Sequence, residues 1–128
     1  MAQTVRLTRI VGIAERAAMM SEIKLNDHPL SIFLLAVLCN ILIFVAVDGF
    51  AKNPHELGKY LSLFFGVSVF IICGFEHCVA NMFYFSLAGA WSWKTLLYIL
   101  LMTLGNACGG LIIPLLRIWL EKGTRQAA

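Results

Sequence analysis

Charge is what this sequence has least of. Of its 128 residues only 13% are charged and 60% are apolar, where a soluble domain averages about 25% and about 45–50%. A soluble enzyme of this size needs a polar shell that these residues cannot supply. The same figures exclude a disordered chain. The net charge of +3 comes from scattered residues, which leaves no basic footprint for a nucleic acid. No apolar h-region opens the chain, so no signal peptide is expected. The four cysteines, Cys39, Cys73, Cys78 and Cys108, lie inside apolar runs and do not form the framework of a small secreted domain. With a mean hydropathy of +0.84, the chain reads as an all-α integral membrane protein.

A span needs about 20 mostly apolar residues to cross the hydrocarbon core. Three segments qualify: Leu30–Val47, Tyr60–Ala90 and Thr95–Leu120. They make a membrane domain over residues 29–121, followed by a polar tail at 122–128. Asn26-Asp27-His28-Pro29 offers capping side chains and a first-turn proline ahead of the first span. Asn53-Pro54-His55-Glu56 reads as cap, proline and capping-box glutamate ahead of the second. Trp91, Trp93, Tyr98 and Trp119 fall near span ends, where aromatic rings prefer to sit.

Residues 1–28 have a different pattern. At 100° per residue, Leu7, Ile10, Val11, Ala14, Ala17 and Ala18 share a face opposite Thr8, Arg9, Glu15 and Arg16. This suits an amphipathic helix at the membrane surface, or one packed on the rest of the protein. Lysines and arginines divide evenly between the two sides of a three-span chain, so the positive-inside rule gives no orientation.

The middle segment carries residues that a lipid-facing helix would not. Gly74-Phe75-Glu76-His77 interrupts two apolar stretches, and a central acidic residue costs about 2.5–3.5 kcal/mol on insertion scales. Unwound backbone is tolerated at that depth where protein or a cavity satisfies it. The expectation is therefore two half-helices meeting at residues 74–77. The alternative is an unbroken helix whose Glu76 and His77 bond neighbouring helices. Asn40 and Asn106 place a polar group near the middle of the other two spans, and Pro114 predicts a kink. Isolated membrane asparagines often join helices. Here a group in each span suggests a shared pathway centred on His77, whose imidazole can change charge near neutral pH. Cys73, His77 and Cys78 lack the spacing of a zinc site, and no metal or cofactor is expected. An enzyme using Glu76, His77 and a cysteine would need an oxyanion-hole or metal pattern that the sequence does not offer.

These motifs resemble the formate/nitrite transporter family. The resemblance rests on Gly74-Phe75-Glu76-His77-Cys78-Val79-Ala80-Asn81-Met82, on Leu104-Gly105-Asn106 with Gly109-Gly110, and on Leu38-Cys39-Asn40. It implies an aquaporin-like half-repeat of three transmembrane segments with a broken middle helix, matching spans four to six of a six-span protomer. Residues 1–28 would then be the end of span three and an external loop, and the protein a multi-pass protein of the inner (plasma) membrane. The resemblance further implies pentamers with one pore per protomer, passing small weak-acid anions such as formate, nitrite, hydrosulfide, acetate or lactate. By the same resemblance, His77 matches the central pore histidine, and Asn40 and Asn106 the asparagines near it. Lys24 matches a lysine ahead of span four, and Phe70 an aromatic of an apolar constriction. Gly74, Phe75 and Glu76 would be structural at the break, with Glu76 bonding backbone amides. Positive potential from Lys24 and the half-helix ends could draw an anion in, and proton sharing with His77 would let it pass as the neutral acid. The first half of the family pattern is missing, so the chain is expected to be a fragment of a full transporter. The alternative is a non-conducting accessory subunit of a full-length member.

Overall fold

The computed structural model describes residues 12–126, and among them all regular structure is helical. In chain order these are α1 (Ile13–Asn26), α2 (Pro29–Lys52), α3 (Glu56–Ile72), α4 (Cys78–Ala88) and α5 (Trp93–Gln126). Leu7, Ile10 and Val11 of the expected amphipathic face lie outside the described residues. The rest of that face is only partly inward: Ala17 is buried and Ala18 is exposed. α1 packs on α4 through Ala17, Ser21 and Lys24, its buried residues.

The cap before α2 forms on His28, whose side chain accepts the Leu30 N–H, with Pro29 in the first turn. Asp27 supports it by accepting the His28 N–H at 2.7 Å and the Ser31 hydroxyl at 2.8 Å. The capping box expected before α3 does not form. Glu56 is the first helical residue rather than the third, so its carboxylate points forward and pairs with Lys59 instead. α5 continues past the expected span into the residues assigned to the polar tail, as far as Gln126. Glu121, Lys122, Arg125 and Gln126 are good helix formers, and the Thr124 hydroxyl donates to the Leu120 carbonyl at 2.7 Å. Its 34 residues span roughly 50 Å at about 1.5 Å per residue. Pro114 sits inside this helix without ending it.

α2 is the centre of the arrangement, packed against α5 on one side and α3 on the other. Both interfaces run on small residues. A Cβ on Gly105 would lie 2.7 Å from the Phe33 carbonyl oxygen, and one on Gly109 would overlap the Val37 carbonyl. On the other side Gly66 meets Ala46, and Gly49 meets Ser62. Such close backbone approach is how helices associate where apolar burial gives little driving force. A compact apolar core of Ile32, Ala36, Phe85, Ile99 and Met102 joins α2, α4 and α5.

The distribution of polarity is inverted relative to a soluble protein. Phe64, Ile72, Leu115 and Trp119 are exposed, whereas Ser21, Lys24, Glu76, Asn81, Thr95 and Asn106 are buried. Two helices, α2 and α5, are long and apolar enough to cross a membrane alone.

Candidate functional site at the helix break

α3 stops in a Schellman motif. The Phe75 N–H reaches back to the Phe70 carbonyl at 3.0 Å and the Gly74 N–H to the Ile71 carbonyl at 3.1 Å. The motif needs a left-handed residue, and Gly74 supplies it with φ +67°. α4 begins at Cys78, so residues 73–77 form an unwound link between two half-helices.

Unwound backbone inside an apolar layer must find partners elsewhere, and one side chain provides most of them. Asn106, on α5, is 4% exposed. Its Nδ2 donates to the carbonyls of Glu76 and Ala36, each at 2.8 Å. Its Oδ1 accepts the Cys78 N–H at 2.9 Å. The Glu76 N–H reaches the Leu35 carbonyl at 3.4 Å. Asn40 in turn donates from Nδ2 to the Asn106 carbonyl at 2.8 Å. Its Oδ1 is buried and has no partner among the described residues. The three spans therefore converge on the break, and Asn106 acts there as a replacement for lost helical hydrogen bonds.

Glu76 and Lys24 form a buried ion pair. Nζ of Lys24 lies 2.7 and 2.6 Å from the two carboxylate oxygens of Glu76, and both side chains are nearly inaccessible, at 8% and 5%. Asn81, one helical turn into α4, donates from Nδ2 to Oε2 of Glu76 and lies 3.1 Å from the Met102 sulfur. The Glu76 carboxylate thus bonds side chains rather than the backbone amides expected of it. An amide bond alone would leave a full charge uncompensated at depth, which the ammonium removes. Lys24 is likewise not a free cation, since its charge is spent on Glu76. Asn81 had stood in the sequence only as part of a motif. Its contact is non-local in the fold but lies five positions from Glu76, and an asparagine facing a buried carboxylate was the available signal.

His77 occupies the N-cap of α4, and its Nδ1 accepts the Ala80 N–H at 3.4 Å. The imidazole stacks on Phe70 of α3, with ring centroids 5.9 Å apart and planes 28° apart. Both residues are half-buried. Cys39 is buried, Cys78 half-buried, and Cys73 and Cys108 are exposed. Among the described residues, no three His, Cys, Asp or Glu side chains gather as metal ligands would.

The inverted polarity, the close-packed helices and the satisfied break are those of a helical membrane protein. A sequence model of the formate/nitrite transporter family matches residues 1–120, and the chain belongs to that family. It is 36% identical to a probable formate transporter of Methanothermobacter thermautotrophicus, over 68% of this chain and 34% of the relative. It is 30% identical to the uncharacterized transporter YrhG of Bacillus subtilis, over 84% of this chain and 42% of the relative. With the formate channel FocA of Haemophilus influenzae the identity is 37%, over 47% of this chain and 21% of that protein. The chain thus matches well under half the length of each of these relatives. No solved structure matches it.

Proposed function

We propose that the chain supplies one wall of a pore through which small monovalent weak-acid anions, formate and nitrite foremost, cross a membrane, with His77 at its centre. The observation that carries this reading is the convergence of all three segments on the break at residues 73–77 within a chain of the formate/nitrite transporter family. The fold expected with it is an aquaporin-like half-repeat, matched by a second wall from the remainder of a six-span protomer and assembled as a pentamer. Phe70 beside His77 narrows the path to an apolar constriction. Asn40 brings a buried oxygen with an unused lone pair close to the same region. Lys24 serves the pathway indirectly, by neutralising Glu76 so that the break carries no net negative charge against an incoming anion. No step needs a covalent intermediate or a cofactor.

The test is uptake of labelled formate and of nitrite by proteoliposomes holding the chain as extracted from its own membrane, with whatever subunits accompany it. Uptake that is lost in His77→Ala, with the protein still folded, is the expected result. A folded complex that passes none of formate, nitrite, hydrosulfide, acetate and lactate would overturn the reading and favour a non-conducting accessory subunit.

A further inference from the structure

We propose that His77 works as a neutral ring with its single proton fixed on Nε2, a hydrogen-bond donor to a passing oxyanion and not its acid. This rests on the reading of His77 as part of the anion pathway. An N-capping side chain must accept from the first turn, and Nδ1 of His77 does so from Ala80, the third residue of α4. A nitrogen that accepts an N–H has no proton of its own, so in the neutral ring the proton resides on Nε2. Giving up that proton would leave an imidazolate, so the ring lends a hydrogen bond and keeps the proton.

The surroundings oppose a second proton on the ring. Protonating Nδ1 breaks the cap and sets a cation against the positive end of α4. A neighbouring carboxylate commonly compensates such a cation, and Glu76 is the adjacent residue. Its oxygens are already taken by Lys24 and Asn81. Besides the thiols of Cys39, Cys73, Cys78 and Cys108, the helices around the break carry the phenols of Tyr60, Tyr84 and Tyr98 and the carboxylates of Glu15, Glu22, Asp48, Glu56 and Glu121. Asp48 and Glu56 are paired with Arg117, Lys52 and Lys59, and among the described residues the ring's one hydrogen bond is to Ala80, so none of these acids compensates it. Stacking on Phe70 and the Asn106 bonds to the residues on either side of His77 hold the ring in this pose. A ring that only donates favours ligands that present acceptor lone pairs, such as carboxylates and nitrite. It gives no bond to ammonium or an alkylammonium.

The experiment is solid-state ¹⁵N NMR of the protein in lipid bilayers with ring-labelled histidine at neutral pH. Of the three histidines, His77 is assigned by the signals that vanish in His77→Asn. One protonated and one bare nitrogen, with the proton on Nε2, is the expected spectrum. A proton on Nδ1, or on both nitrogens, would overturn the proposal. Ala80→Pro removes the capping N–H at a first-turn position that tolerates proline, and there the Nδ1–H form should rise at least several-fold. If that variant does not fold, the wild-type spectrum still decides. The two ideas fail separately: a correct tautomer without anion uptake ends the transport reading, whereas uptake through a doubly protonated ring ends this one.

Discussion

α3 and α4 are consecutive halves of one interrupted segment, and they are held in unlike ways. α4 is pinned by polar contacts: Asn106 on its first N–H, His77 on the third N–H of the same turn, and Asn81 on the Glu76–Lys24 pair. Phe85 adds full burial. α3 has no buried residue and packs chiefly on α2, with Ser62 against Gly49 and Gly66 against Ala46. Polar bonds specify a single geometry, because a stranded group costs more than a made bond returns. A seam of small residues specifies distance and leaves sliding and rotation cheap. The half that carries the histidine's backbone is therefore fixed by directional contacts, and the half that carries Phe70 is fixed by shape.

Asn106→Ala would strike the fixed half hardest. It strands the Glu76 carbonyl and the Cys78 N–H, each at about 1–3 kcal/mol. Thermal unfolding in detergent should show the loss, with faster hydrogen exchange in α4 than in α3. Lys24→Ala comes next. It leaves the Glu76 carboxylate buried and unpaired, a loss of about 3–5 kcal/mol, and Lys24→Met with Glu76→Gln should recover most of it. If the double variant is as unstable as the single, the pair does not hold α1 to the break in the way described. Gly66→Val tests the other half. The new side chain collides with Ala46, at about 1–3 kcal/mol, and exchange should rise in α3 while α4 stays protected. Equal loosening of both would erase the distinction between them. Asp48→Asn should matter least. It weakens the contacts with Arg117 and Lys52 at the solvent-exposed end of α2, where pairs are screened by salt. Unfolding temperature should barely move, and any shift should shrink as salt is added.

The place of the break was legible because Gly74, Glu76 and His77 are costly together inside an apolar run. Asn40 and Asn106 stood out for the same reason. Their partners were not legible. Lys24 and Glu76 are 52 positions apart, and nothing local in either sequence window names the other. Asn106 read as one polar residue among small neighbours, whereas it serves three helices at once. The α5 helix runs past the span drawn to Leu120, because span length follows hydropathy while helix length also follows propensity, and Glu121, Lys122, Arg125 and Gln126 have the second without the first. The unformed capping box before α3 has a simpler cause. The motif depends on a three-residue offset, and the helix starts at Glu56, two residues before the offset would be met.

Asn106 also imposes an order in time. It is made some thirty positions after the link it completes. While a growing chain lays down α3 and α4, the Cys78 N–H and the Glu76 carbonyl have no mate in the segment already synthesised. Until α5 arrives, the most economical state for residues 73–77 is contact with water, translocation machinery or a neighbouring subunit rather than lipid. The interrupted segment thus cannot settle before the third is made, although it is the second in the chain.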